Sequence, residues 1–304
     1  MVLYICRDLP GASWITEVDL SRTELRDVNF YVATVTKSQQ ATERAERKWT
    51  ELTAKSPGLY DGELMSLREV KVTREGRIKA GIAKSSYKEH HGSCPLNGKG
   101  DDWTFQFFPY NFEVDNGIAI ARIPNFQNLF PAFAIGALLE TSDKKLVYLV
   151  RSNDTDAYKG ALSVPSGGRI GGSPHKAVDD LIEDSSNVFR HITGMLQQEY
   201  PGIGDHQIQE QQVTGIARSL DDLDATLCVY AKTSLTFDQL KRMLRRDRKY
   251  NGMEFVSADA DGMVTLLRMA ERFPSSVTPV FIQAAYRFEV DPRDTNNRIE
   301  LICD

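Results

Sequence analysis

Residues 161–204, ALSVPSGGRIGGSPHKAVDDLIEDSSNVFRHITGMLQQEYPGIG, constrain the fold more than any other stretch. A short apolar strand, 161–164, runs into Pro165 and the glycine pair Gly167-Gly168. Val178, Leu181, Ile182, Phe189, Ile192, Met195 and Leu196 then recur at helical spacing, which predicts one long helix over 174–198. Asp179, Asp180, Glu183, Asp184 and Glu199 make that stretch acid-bearing, and Pro201-Gly-Ile-Gly204 supplies a second turn. Glycines ahead of a helix let the backbone approach a ligand closely, a layout that suits a metal-diphosphate site.

The flanking sequence alternates strands and helices. Residues 2–6 read as a first strand, and Ser21 and Glu24 have the S-x-x-E spacing of a capping box. Residues 38–55 predict a helix with Trp49 and Leu52 on one face, Glu43 and Arg47 one turn apart, and Pro57-Gly58 as its stop. Segments 63–72 and 77–83 predict a hairpin, and 90–102 a polar loop. A second hairpin pairs 132–139 with 145–151 around Thr141-Ser-Asp-Lys144. Downstream, 211–218 and 225–232 read as strands, 235–245 as a helix capped by Thr236, 254–256 as a short strand and 263–271 as a helix. Residues 278–286 fit a strand or a helix equally. Mixed strands covered by helices make this an α+β protein, an α/β/α sandwich with a mixed sheet, preceded by an N-terminal α/β region.

Composition narrows the function classes. With 42 acidic against 37 basic residues, the net charge of -5 offers no bulk attraction for nucleic acid. The basic run 241–249 reads as a solvated helix face. The four cysteines, Cys6, Cys94, Cys228 and Cys303, have neither zinc nor redox spacing. That usage, and a start too short and polar for a signal peptide, lead us to expect the cytoplasm or nucleus. No apolar run approaches the roughly 18 residues of a membrane span, so no membrane association is expected. G-x-S-x-G and P-loop patterns are absent, and 167–172 fails the G-x-G-x-x-G spacing. A serine hydrolase and a dinucleotide-binding dehydrogenase are therefore disfavoured.

Several further segments carry a resemblance. The order hairpin, strand, S-x-P-S-G-G turn, helix and glycine turn resembles the Nudix hydrolase superfamily. Trp49, the run 57–61 (PGLYD), Lys84-Ser-Ser-Tyr87, Asp102-Trp103 and Gly215-Ile-Ala-Arg218 resemble its UDP-sugar diphosphatase-like, Nudix-type 22 branch in eukaryotes. The resemblance covers residues of about 45–285. It implies a division into an N-terminal α/β region, 1–125, packed on a Nudix-like domain, 126–304. It also implies Mg²⁺ or Mn²⁺ as cofactor and a nucleoside diphosphate derivative, or another small phosphorylated molecule, as ligand. Hydrolysis would use water as nucleophile and a cation to neutralise the pyrophosphate.

The helix departs from the family's signature, G-x5-E-x7-R-E-hydrophobe-x-E-E-x-G. Aligning its end on Gln198-Glu199 puts Gly194 at the arginine and Met195 at the first glutamate, with Gln198 replacing a second. Glu199 is the one motif carboxylate left, so it is the candidate catalytic residue and metal ligand; the alternative is a solvated acid at a helix end. In a continuous helix Glu183 would stand roughly 24 Å from Glu199, too far to share an ion. A break near residues 185–187 would change that, and Glu210, Asp221, Asp222, Asp224 and Glu254 are further acids that could assist. Gly167 and Gly168 are candidates for the substrate loop, or form a tight turn. Arg151 is a candidate diphosphate contact, or a solvated strand end. Arg218 offers a fork of donors to a phosphate or sugar oxygen, or to a surface salt bridge. Ser86 and Tyr87 are candidate uridine or sugar contacts, or a buried strand edge. His90-His91 read as part of the surface loop. Two functions follow: a UDP-sugar-type pyrophosphohydrolase whose activity is weak or lost, or a protein that binds a nucleotide, a metabolite or a protein partner without catalysis.

Overall fold

The computed structural model describes residues 3–6, 14–19, 28–35, 38–55, 57–58, 61–72, 78–93, 111–115, 118–122, 129–153, 159–169, 174–184, 187–219, 224–245, 249–273, 277–295 and 299–303. The N-terminal elements are β1 (Leu3–Cys6), β2 (Trp14–Asp19), β3 (Val28–Val32), α1 (Gln39–Lys55), β4 (Glu63–Val72), β5 (Ile78–Ser86), α2 (Tyr87–Ser93), β6 (Asn111–Asp115) and β7 (Ile118–Arg122). Next come β8 (Phe133–Glu140), β9 (Lys145–Arg151), β10 (Leu162–Ser163), β11 (Ser166–Arg169), α3 (Pro174–Glu183) and α4 (Asn187–Glu199). The chain continues through β12 (Ile208–Ser219), β13 (Ala225–Thr233), α5 (Phe237–Met243), β14 (Tyr250–Ser257), α6 (Ala260–Arg268), α7 (Thr278–Ala285), α8 (Pro292–Thr295) and β15 (Ile299–Cys303).

The main sheet runs β10-β9-β8-β13-β12-β2-β1-β15, with β11 added on β8 and β14 on β9. It is mixed because β13 lies parallel to β8, from Ala225 opposite Phe133 to Lys232 opposite Glu140, while its other pairs are antiparallel. A smaller sheet, β3-β5-β4, is also mixed. The strands β8 and β13 read as near-continuous apolar runs because both faces of the sheet are covered. Successive side chains point to opposite faces. Ile135, Ala137, Leu227 and Val229 therefore join a core with α4, α5 and the small sheet. Leu138, Cys228 and Tyr230 join a second core with α6 and α7. Helices thus cover both faces of a mixed sheet, the α+β sandwich expected from the sequence. Among the described residues no helix is long and apolar enough to cross a membrane.

Three local expectations need correction. The single helix over 174–198 is two helices. Asn187 donates its Nδ2 to the Asp180 carbonyl (2.7 Å) and its N–H to the Asp184 carbonyl (3.0 Å), closing the end of α3. Such side-chain bonds compete with the helical ladder. α3 then packs on the small sheet, while α4 packs against β11. The glycine pair lies in strand β11, with Gly167 opposite Gly136 and Gly168 opposite Ile135. Lastly, His90 and His91 belong to α2 and not to a loop, and His90 is buried with its Nδ1 3.1 Å from the Phe130 carbonyl oxygen. The ambiguous segment at 278–286 is helical, as α7. Strands β2, β3, β6 and β15 are not among the elements expected from the sequence. The Ser21–Glu24 spacing, Asp102-Trp103, residues 171–173, Ser185-Ser186 and Asp221-Asp222 lie outside the described residues.

Candidate functional site

Glu199 ends α4, and the next residue anchors it. Tyr200 is fully buried, and its hydroxyl lies 3.6 Å from Met253 Sδ. Gly202 turns the chain away with φ of 104°, a conformation that favours glycine. The Arg245 N–H donates to the Glu199 carbonyl (2.8 Å), satisfying one of the helix's open acceptors.

The Glu199 carboxylate is already engaged. Its Oε1 accepts from Lys249 Nζ and, at 3.3 Å, from the Tyr250 hydroxyl. The two charges differ in access: the Glu199 side chain is 13% exposed and that of Lys249 38%. Lys249 is therefore the more exposed partner of the pair. Lys249 Nζ also lies 4.8 Å from the centre of the Tyr250 ring. Burial works against the Lys249 charge, but Tyr250 and Glu199 outweigh it and hold the ammonium's pKa above its ordinary value. Burial and the Glu199 charge push the Tyr250 phenol up, while Lys249 and Arg151 pull it partly back.

Tyr250 links Glu199 to a second candidate. It sits directly opposite Arg151 in the antiparallel pairing of β14 with β9. The Arg151 Nε is buried without a hydrogen-bond partner. Arg151 and Glu199, 48 positions apart in the chain, thus reach one cluster through a residue that no sequence motif singles out. Lys249 is hidden in the basic run, and only the pairing of β14 with β9 reveals its place. Gly167 and Gly168 lie one element away, on the strand against which α4 packs.

The remaining candidates fall elsewhere. Ser86 caps α2: its Oγ accepts from the Glu89 N–H (3.3 Å), and Glu89 Oε2 accepts from the Ser86 N–H (3.1 Å). This reciprocal pair is a capping box at S-x-x-E spacing. The Tyr87 ring packs 4.2 Å from the His91 ring and 6.3 Å from Trp49, joining α2 to α1. Arg218 is 2% exposed and donates from Nη2 to the Leu67 carbonyl (3.4 Å), in the seam between β12 and the small sheet.

The donor set does not suit a divalent cation. Hard cations need several oxygen ligands, and of the acids that could assist Glu199, the described ones, Glu210, Glu254 and Asp224, have other partners. Glu210 is held by Arg287 (2.6 Å) and Lys232 (2.9 Å). Although burial opposes it, these cations hold the Glu210 carboxyl below its ordinary pKa. Glu254 accepts from the Tyr148 hydroxyl (2.9 Å), and Asp224 accepts from the Ala132 N–H (2.7 Å). Among the described residues, no three His, Cys, Asp or Glu side chains are grouped to hold an ion.

No family model matches the sequence, and no curated protein matches it. Solved structures do. The DR0079 protein of Deinococcus radiodurans matches with a TM-score of 0.35 and 13% identity, over 57% of this chain and 92% of that one. A MutT protein from Methanosarcina mazei Go1 matches with a TM-score of 0.32 and 17% identity, over 52% and 91%. RenU, a Nudix hydrolase from M. smegmatis, matches with a TM-score of 0.28 and 15% identity, over 51% and 82%.

Proposed function

We propose that this chain is a Nudix-fold protein that takes a nucleoside diphosphate derivative of the UDP-sugar type, and in which metal-assisted hydrolysis of that ligand is weak or lost. One observation carries the reading: Glu199, the surviving motif carboxylate, is closed into a pair with Lys249 and Tyr250 beside Arg151. A divalent cation at Glu199 would have to displace the ammonium and would then find few further oxygens among the described residues. The described residues around Glu199 therefore favour no metal-assisted step. They can instead receive a phosphate, because Arg151 and Lys249 both carry positively charged N–H donors.

The competing reading is a working pyrophosphohydrolase, and cleavage decides between them. A panel of UDP-sugars is incubated with concentrated protein and millimolar Mg²⁺ or Mn²⁺, alongside Glu199→Gln. We expect no cleavage, or very slow cleavage, from folded protein that binds UDP. Ready turnover that disappears in Glu199→Gln would establish an enzyme with Glu199 in its metal site and refute the loss of hydrolysis.

A further inference from the structure

The order of charges at the end of α4 is the reverse of a cation site. A cation site presents carboxylates to the incoming ion. Here the Glu199 side chain is the more buried of the pair, and the Lys249 side chain the more exposed. Arg151 adds a second positive charge across Tyr250, and its buried Nε lacks a hydrogen-bond partner. Among the described residues, two cations against one carboxylate leave one net positive charge. The partial negative charge at a helix C-terminus, about half a unit, does not cancel it.

We propose that Lys249 and Arg151 form a metal-independent phosphate subsite, in which the Lys249 ammonium holds the place against Glu199 that a divalent cation would otherwise take. The proposal rests on the reading that the chain binds a nucleoside diphosphate, and names how the diphosphate is held. Glu199 then positions Lys249 and does not touch the ligand. The Tyr250 hydroxyl steadies the same carboxylate. An ammonium carries several N–H donors, so it can hold a carboxylate and a phosphate oxygen together. The chemistry recognised is a diphosphate, whether carried by a nucleoside or free.

The test is calorimetric titration of the full chain with UDP, in EDTA and again in Mg²⁺, with inorganic pyrophosphate as competitor. We expect binding in EDTA that Mg²⁺ changes by less than about twofold, and displacement of UDP by pyrophosphate. Lys249→Met should weaken metal-free binding about tenfold or more, the loss of one charge-assisted hydrogen bond. Lys249→Arg should restore most of it. Arg151→Gln serves as a second variant with the same expected loss should Lys249→Met fail to fold, as thermal unfolding will show. Glu199→Gln should tighten metal-free binding by freeing the ammonium, whereas a metal ligand would lose binding on that change. Binding that appears only with Mg²⁺ overturns the proposal and leaves the nucleotide reading standing. So does wild-type affinity in Lys249→Met, or a failure of pyrophosphate to compete. Folded protein that binds neither UDP nor pyrophosphate in either buffer overturns both.

Discussion

Replacing Gly136 by alanine tests the packing of α7 on the sheet. Gly136 lies in the middle of β8, opposite Gly167 of β11 and Cys228 of β13. A Cβ built there would stand 2.7 Å from Cγ2 of Val280 and 3.3 Å from Cγ2 of Thr226. Carbon atoms rest about 3.5–4.0 Å apart, so the first contact overlaps by about 1 Å. Val280 is fully buried on α7. A β-branched side chain in a helix has one strongly preferred rotamer, so it cannot simply turn away. Either α7 moves outward or the sheet bows. Overpacking of this kind costs about 1–3 kcal/mol. Loss of a strand glycine returns about 0.5–1 kcal/mol of that. The net cost, centred on roughly 1 kcal/mol, lowers the melting temperature by about 2 °C for a chain of this length. Calorimetric melting of Gly136→Ala, Val280→Ala and the double variant measures it. Trimming Val280 alone opens a cavity, but in the Gly136→Ala background it also relieves the clash. The double variant should therefore be more stable than the sum of the singles predicts. Full stability in Gly136→Ala, or additivity within about 0.5 kcal/mol, refutes the reasoning.

Two other changes have opposite characters. Gly194 lies inside α4 with nothing within 4 Å of a built Cβ; Gly194→Ala should therefore stabilise the protein by up to about 1 kcal/mol, read as a rise of up to about 2 °C in melting temperature. Asp143 accepts from the Phe237 N–H (2.9 Å) and pairs with Lys145 (3.0 Å). Burial opposes its charge, but the Thr141 hydroxyl, Lys145 and the Phe237 amide hold its carboxyl at about 2, below the ordinary 3.8. A depressed carboxyl contributes stability that is complete above its unfolded pKa and is lost as pH falls through its folded one. A third of the Asp143 side chain is exposed, so screening reduces the effect to about 1 kcal/mol. Denaturant unfolding should show that loss between about pH 4 and about pH 2 in the wild type, and a shallower acid limb in Asp143→Asn; identical limbs would exclude Asp143 as its source.

What is legible in the sequence follows from which interactions are local. The strands at 63–72 and 145–151 are visible because their apolar patterns answer to buried faces, and Thr236 is visible as a cap because its partner Gln239 is three residues away. Ser86 and Glu89 have that same spacing, so the start of α2 is equally local, although the polar composition of 90–102 suggests a loop. The break between α3 and α4 is only half visible. Ser185, Ser186 and Asn187 weaken a helix by competing for backbone groups, but the break is completed where α3 finds its own surface on the small sheet. β11 runs against propensity, since a strand with two adjacent glycines packs few side chains. It forms because β8 offers an open ladder at Gly136 and Ile135. At the site, Glu199 and Arg151 are readable as separate candidates. Their convergence is not, because it depends on Tyr250, whose pairing with β9 is a long-range contact.

Set against the motif it resembles, α4 differs in packing as much as in charge. The resemblance puts a glutamate where Met195 stands, yet Met195 is buried with Val188, Ile192 and Leu196 on the face that α4 turns to the core. A carboxylate at that position would be removed from water among aliphatic side chains, a cost of several kcal/mol unless it were paired or protonated. Gln198 lies on the exposed side, and Glu199, between the two, leans on Lys249 and Tyr250. Restoring the two missing acids in this frame would therefore bury one charge and leave the other in solvent, without rebuilding a metal cluster. Lys249 is the simpler partner for the carboxylate that remains. In the proposed subsite it would supply the positive charge a phosphate needs, without the additional oxygen ligands that a cation would demand.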